Sequence, residues 1–161
     1  MSAERLVVFF PGAGYGVDAP LLYYTDFLFE TKGYQHFYVD YTQAWEEQLA
    51  ERIANATDIV FVSKSIGAVQ AGKTAEKLGC AVRHIFITPV GAALPYIHKE
   101  CRVVIGTEDG EYHLVREWCE QHSVSCLAVE GADHSMELFG RPHESIDVLH
   151  RILNYISDFC E

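Results

Sequence analysis

The stretch Asp58-Ile-Val-Phe-Val-Ser-Lys-Ser-Ile-Gly67 decides the fold predicted for this chain. Its first half, 58–62, is a short apolar run, typical of a strand that is buried on both faces of a sheet. A helix-forming segment follows, and a strand that turns sharply into a helix around a serine needs small residues two positions before and after it. Ser63 and Gly67 meet that need, so Ser65 is a candidate nucleophile. On these residues alone, an ordinary helix N-cap at Ser65 is an equally good interpretation.

Apolar runs and helical patterns alternate along the rest of the chain. We predict strands at 6–10, 35–40, 58–62, 84–88, 102–106 and 125–129, helices at 20–32, 42–54, 66–78, 110–121 and 145–159, and a short loop-like segment at 89–100. This alternation predicts an α/β fold, a three-layer sandwich around a six-stranded parallel, doubly wound sheet. Ligands of such sheets bind at the carboxyl ends of the strands, near the point where the winding reverses.

Composition limits the classes of function. The chain has 161 residues and a hydrophobic content of 49%, which predicts a single domain over 1–161. Its 12 Lys and Arg residues against 23 Asp and Glu give a formal charge of -11, so we expect neither a nucleic-acid nor a membrane partner. Five cysteines without a CxxC pair favour a reducing cytoplasm. The N-terminal apolar run at 6–10 is too short for a secretory signal.

Two glycine-bearing segments match nucleotide-binding patterns. Gly67 to Thr74 satisfies G-x-x-x-x-G-K-[ST], but a phosphate loop begins where a strand ends, and four residues separate Val62 from Gly67. We therefore favour a closely packed helix with a solvated Lys73. The loop 12–17 places Val17 where G-x-G-x-x-G needs its third glycine, which disfavours a dinucleotide site with Asp40 as the ribose-binding acid.

Three turns after predicted strands carry a different pattern. The fifth strand leads into Gly106-Thr-Glu-Asp109, and the sixth into Gly131-Ala-Asp-His134. With Ser65, these turns give Ser, Asp and His in that chain order at the carboxyl end of one parallel sheet, which favours a catalytic triad over coincidence. The backbone N–H groups near Gly12 to Gly14 can point at the same end as half of an oxyanion hole.

On these motifs the chain resembles a small member of the α/β-hydrolase superfamily. The likeness spans nearly the whole chain, although only the serine turn, the two later turns and the loop 11–14 are specific. Several features depart from the family: Ser63 replaces the usual glycine, Pro11 stands where many members have His, and the antiparallel strands that usually precede the first parallel strand are missing. The segment 89–100 is too short for a cap domain. This minimal, lidless form predicts an open site and a shallow pocket.

The resemblance implies a serine hydrolase that cleaves an ester or thioester of a small acyl substrate through an acyl-enzyme. Ser65 would be the nucleophile, His134 its base, and Asp109 the acid that orients the imidazole. The backbone N–H groups of Ala13 and Ile66 would form the oxyanion hole. Neither a cofactor nor a metal is expected.

Alternatives stay open at this point. Glu108 is the nearest rival of Asp109, whereas Asp133 is disfavoured because the side chains of adjacent residues diverge. A catalytically silent binding module could keep the same fold, and a nucleotide-binding protein would use Gly67 to Thr74. Three tyrosines near the glycine loop can either line the substrate pocket or pack within a helix: Tyr15, Tyr23 and Tyr24.

Overall fold

The computed structural model describes residues 4–161. Within that range six strands alternate with five α-helices and two short 3-10 helices. The strands are β1 (Glu4–Phe10), β2 (Gln35–Tyr38), β3 (Ala56–Lys64), β4 (Arg83–Ile87), β5 (Arg102–Gly106) and β6 (Ser125–Val129). The helices are α1 (Pro20–Thr31), α2 (Trp45–Ala54), α3 (Gly67–Leu78), α4 (Tyr112–Gln121) and α5 (Pro142–Ser157), with 3-10 turns at Gly91–Tyr96 and Asp158–Cys160.

All the strands lie in one parallel sheet with the order β2-β1-β3-β4-β5-β6. Helices α1 and α5 pack on one face, and α2, α3 and α4 pack on the other. The winding reverses between β1 and β3, because the connections of these neighbouring strands leave in opposite directions. The predicted α/β sandwich is therefore confirmed, and the connection from β4 to β5 carries only a 3-10 turn where a cap domain would be inserted.

Burial on both faces explains the continuous apolar runs of the central strands. The five residues from Leu6 to Phe10 are all fully buried. Successive side chains of a strand point to opposite faces, so Val7 and Phe9 join the core under α1 and α5, and their neighbours join the core under α2. In these central strands, polar groups can reach solvent only at the strand ends, so the polar side chains that can act on a ligand lie in the turns that follow.

Several predicted boundaries were wrong by a few residues. Strand β3 continues past Val62 because Ser63 and Lys64 still pair with β4, so the strand runs directly into the serine turn. Helix α2 begins at Trp45 and not at 42, since the carboxylate of Asp40 accepts a hydrogen bond from the Thr42 N–H and holds that segment in a turn.

Other predicted segments also differ from the structure. Strand β2 ends at Tyr38 and not at 40. Helix α5 begins at Pro142, three residues before its predicted start, because proline suits the first turn of a helix, where its missing N–H costs nothing. The segment predicted as a loop at 89–100 contains the 3-10 turn Gly91–Tyr96.

The segment that matches the phosphate-loop pattern lies in helix α3 from its first residue. A Cβ atom on Gly67 would lie 2.3 Å from the carbonyl oxygen of Phe10, and one on Gly72 would lie 2.1 Å from Cγ of Tyr96. Both glycines therefore permit close packing of the helix, while Lys73 is exposed.

Candidate active site

The serine turn, which we call the elbow (residues 63–67), places Ser65 directly after β3 in a left-handed backbone conformation with φ of +56°. This conformation costs a non-glycine residue on the order of 1–2 kcal/mol. Two backbone hydrogen bonds hold it: the N–H of Ser65 donates to the carbonyl of Ile87 at 3.0 Å, and its carbonyl accepts from the N–H of Ala68 at 3.1 Å. The elbow is therefore a strained turn fixed by its neighbours.

Changing Gly67 to Ala tests the packing of this elbow. The added methyl group would lie 2.3 Å from the Phe10 carbonyl oxygen and 2.7 Å from that of Pro11, so helix α3 must move away from β1. We expect the free energy of unfolding, measured with urea, to fall by about 1–3 kcal/mol or more. The matched control is Gly110→Ala, because a Cβ atom there meets nothing within 4 Å. Equal losses in the two variants would contradict the packing argument.

His134 lies on the turn that follows β6. The Asp133 carboxylate shapes this turn by accepting hydrogen bonds from the N–H groups of Ser135 at 2.9 Å and Glu137 at 3.1 Å. The imidazole Nε2 lies 2.8 Å from Ser65 Oγ, and the side chain of His134 is 49% exposed. The Asp133 carboxylate therefore stabilises the turn that carries His134, while the imidazole ring of His134 faces Ser65 in the elbow.

Asp109 lies on the turn after β5 with a side chain that is only 2% exposed. Its Oδ2 lies 2.6 Å from His134 Nδ1, and its Oδ1 accepts from the N–H of Glu111 at 2.9 Å. A carboxylate only accepts hydrogen bonds, so Nδ1 of a neutral imidazole carries the proton and Nε2 is left to accept from the Ser65 hydroxyl. Glu108 is exposed, and its N–H donates to Ala132 across the two turns.

The turns after β5 and β6 approach each other because Gly106 has no side chain. A Cβ atom at that position would lie 2.0 Å from the carbonyl oxygen of Ala132. Two further hydrogen bonds join the turns, from Glu108 N–H to the Ala132 carbonyl at 3.0 Å and from Gly131 N–H to the Thr107 hydroxyl at 2.8 Å. These contacts fix where Asp109 and His134 meet.

The glycine loop after β1 lies against the elbow. Gly12 and Tyr15 exchange backbone hydrogen bonds at 3.1 and 3.3 Å, so the loop is a tight turn rather than the start of a dinucleotide site. A Cβ atom on Gly12 would lie 3.2 Å from Cβ of Ser65. Within residues 4–161, the N–H groups of Ala13 and Ile66 donate to no other protein group, so both are available to a ligand.

Lys64 is a site residue that the sequence interpretation missed. Its side chain is almost fully buried, with the residue 1% exposed. The ammonium donates hydrogen bonds at 2.6 Å to the hydroxyl of Thr88 and at 2.6 Å to the carbonyl of His134. It also lies 4.8 Å from the centre of the Tyr15 ring. The alternation of side chains along β3 could have indicated this burial, since Lys64 lies on the same face of the strand as the buried Val62.

An apolar groove of about 460 Å³ lies between α1, α5 and the segment 135–142, and neither Ser65 nor His134 is among the residues that line it. Asp133 and Ser135, the chain neighbours of His134, line this groove together with Tyr15, and so does Phe139, which is 96% exposed. Its floor and walls are the side chains of Leu21, Met136, Leu138, Ile146, Leu149 and Ile152. Of the three tyrosines considered, only Tyr15 lines this groove. Tyr23 and Tyr24 form an exposed edge-to-face pair on α1.

Two structural features are absent from residues 4–161. No group of three or more His, Cys, Asp or Glu side chains there is arranged to hold a metal ion. None of the helices in that range combines the length and the apolar content that crossing a membrane requires.

Comparison with known proteins gives matches in structure only. No family model matches the chain, and no curated protein matches its sequence. Est1E from Butyrivibrio proteoclasticus is similar with a TM-score of 0.66 and 12% identity, covering 98% of this chain and 90% of its own. A dienelactone hydrolase from Anabaena variabilis has a TM-score of 0.65 and 17% identity, covering 96% of this chain and 86% of its own.

A third similar structure is a putative alpha/beta hydrolase from Agrobacterium tumefaciens, with a TM-score of 0.70 and 11% identity over 96% of this chain and 84% of its own. Likeness over nearly the full length of both chains shows a shared architecture, even where few residues are identical. The chain has the α/β-hydrolase fold, and the elements within residues 4–161 include no cap domain.

Proposed function

We propose that this chain is a serine hydrolase that cleaves an ester or thioester bond of a small acyl substrate. One observation carries the proposal: a relay of two hydrogen bonds, from His134 to Asp109 at 2.6 Å and from Ser65 to His134 at 2.8 Å. Each of the three side chains comes from a turn after a different strand. The half-exposed imidazole between a buried carboxylate and a hydroxyl is the arrangement that activates a serine.

The proposed reaction begins when Ser65 Oγ attacks the acyl carbonyl carbon and its proton passes to His134 Nε2. The Asp109 carboxylate stabilises the imidazolium that forms. The amides of Ile66 and Ala13 donate hydrogen bonds to the oxygen on which negative charge develops. When the tetrahedral intermediate collapses, the bond to the leaving group breaks and His134 gives that group its proton, which leaves an acyl-enzyme.

Deacylation repeats these steps with water. His134 removes a proton from a water molecule, whose oxygen attacks the acyl carbon. The tetrahedral intermediate collapses, the bond to Ser65 Oγ breaks, and the serine recovers its proton from His134. The side chain of His134 is 49% exposed, so water can reach this position without the opening of a lid.

The apolar groove supports an acyl group with an alkyl or aromatic portion. Its size, about 460 Å³, lies within the range of small-molecule sites, and its lining is mainly apolar with few polar groups. Asp133 and Ser135, which line the groove, flank His134 in the chain, and on this adjacency we assign the groove to the acyl group. The similar structures include a dienelactone hydrolase, whose name refers to an ester substrate of that protein.

The five free cysteines fit a reducing compartment, and we place the activity in the cytoplasm.

Labelling with a fluorophosphonate probe tests the proposal, because the probe reacts with an activated serine and not with serines in general. We expect rapid labelling of the wild type, mapped by peptide mass spectrometry to Ser65. The matched control is Ser63→Ala, since Ser63 is buried two positions away and its hydroxyl has no partner within the described residues. This variant should keep the labelling rate.

Absence of labelling in a folded wild-type protein would contradict the proposed hydrolase activity and favour a catalytically silent binding module with the same fold. Labelling at Ser63 would show that Ser63, and not Ser65, is the nucleophile. A nucleotide-binding protein would gain thermal stability from Mg-ATP. We expect no such gain, because Gly67 to Thr74 is helical and its glycines are packed against Phe10 and Tyr96.

A further inference from the structure

Lys64 is a buried cation directly before the proposed nucleophile, and the reaction described above does not use it. Its hydrogen-bond acceptors are neutral: the hydroxyl of Thr88, which follows β4, and the backbone carbonyl of His134. Within residues 4–161 no carboxylate forms an ion pair with it. The carboxylates of Asp109 and Asp133 act on it only from a distance.

Burial of this ammonium is unfavourable for folding. Desolvation lowers the pKa of Lys64 from 10.5 to about 8, and the charges of Asp109 and Asp133 offset only part of that effect. Because the pKa of the folded state is the lower one, the charged form opposes folding below about pH 8, and this penalty disappears as the pH rises towards 10.5. A methionine would fill similar space without this penalty, so packing alone does not account for a lysine here.

The hydrogen bond to His134 joins two parts of the site that are otherwise weakly connected. The turn that carries His134 is bonded within itself through Asp133 and to the β5 turn through Ala132. Within the described residues, only the side chains of Lys64 and Ser65 join it to the elbow by hydrogen bonds. The bond from Lys64 also acts on the backbone of the residue whose ring must reach both partners.

We propose that Lys64 is a positioning residue that holds the backbone of His134 at the distance from which its imidazole reaches Ser65 and Asp109 together. Lys64 is covalently next to Ser65, so one side chain fixes the base relative to the nucleophile. Thr88 holds the ammonium from the other side; it is fully buried in a left-handed conformation with φ of +45°. The catalytic part of this inference rests on the proposed function, whereas its geometric part does not.

The test replaces Lys64 with Met and compares it with Lys73→Met, the same change at an exposed lysine of helix α3. Charge-assisted hydrogen bonds contribute about 1.5–3 kcal/mol, so we expect kcat for a chromogenic ester to fall by roughly tenfold to a hundredfold in the first variant. KM should change little, because Lys64 does not touch the substrate. The melting temperature should stay the same or rise, and Lys73→Met should match the wild type throughout.

The pH dependence separates positioning from a purely structural role. An uncharged amine forms a weaker bond to a carbonyl than an ammonium does, so wild-type kcat should decline as the pH rises through about 8. Lys64→Met should lack this decline. The groups that face the ammonium are Tyr15, Thr88, Asp109, Asp133 and the His134 carbonyl, all of which both proteins share.

A readout without substrate keeps this inference distinct from the proposed function. The proton between His134 Nδ1 and Asp109 Oδ2 should give a far-downfield resonance in the NMR spectrum of the wild type, and Lys64→Met should broaden or shift it. If Lys64→Met does not fold, Thr88→Val, which removes the second acceptor of the ammonium, should change kcat and the resonance in the same direction. An unchanged resonance and an unchanged kcat would overturn the inference. An inactive wild type whose resonance still responds to Lys64 would reject the hydrolase and keep the positioning role.

Discussion

Replacing Ser65 with Ala should lower the turnover of a chromogenic short-chain ester by about a thousandfold or more. Without Oγ no acyl-enzyme can form, and the remaining amides and imidazole can only assist direct attack by water. The change should leave the fold intact, because alanine is smaller and the hydroxyl of Ser65 bonds only to His134 within the described residues. Initial rates at saturating ester, with circular dichroism as a check on folding, measure the effect.

Ser63→Ala is the control for this loss and should keep at least most of the activity. Retained turnover in Ser65→Ala would remove Ser65 as nucleophile. A panel of esters and thioesters graded by acyl chain length, with Ser65→Ala as background, then identifies the bond that is cleaved. If the apolar groove receives the acyl chain, kcat/KM should rise with chain length until the groove of about 460 Å³ is filled.

Replacing Asp109 with Asn should lower kcat by roughly a thousandfold or more. The amide has nearly the same shape as the carboxylate, but it no longer stabilises the imidazolium. Its NH₂ group can also donate to His134 Nδ1, which would favour the tautomer that carries its proton on Nε2 and cannot accept from Ser65. Because the Asp109 side chain is only 2% exposed, water cannot replace the lost charge.

Glu108→Gln is the matched control for Asp109→Asn, as it makes the same chemical change one residue away. Glu108 is exposed, and its side chain has no hydrogen bond to His134, so the activity of the Glu108→Gln variant should stay near that of the wild type. A severe loss in Glu108→Gln with a mild loss in Asp109→Asn would exchange the roles of the two acids.

The sequence predicted the sheet and the meeting of the three side chains for the same physical reason. Strands buried on both faces leave continuous apolar runs, and in a parallel sheet the turns after such runs lie at one edge. Ser65, Asp109 and His134 each follow a strand directly or within a few residues, so their approximate position follows from chain order. Their roles in catalysis stay predictions, which the variants above test.

The burial of Lys64 could not be predicted with the same ease. Lysine is almost always exposed, and in the pattern around Ser65 its position accepts any residue. Only the three-dimensional structure brings Thr88 and the His134 carbonyl, which are 24 and 70 residues away in the chain, to its ammonium. The sequence predicted a shallow pocket with Tyr15 as a possible lining residue, but it did not predict a groove between helices α1 and α5, because neither helix forms that groove alone.

The contact of Gly67 with the carbonyls of Phe10 and Pro11 has a consequence for how such a protein can change. It is a contact of backbone with backbone, so the spacing between the two proposed oxyanion donors, Ala13 and Ile66, is set by main-chain atoms. Side chains that line the groove take no part in that contact. Substitutions along α1 and α5 can therefore alter which acyl group is accepted while the reacting centre keeps its dimensions, so substrate preference and chemistry can evolve separately on this small scaffold.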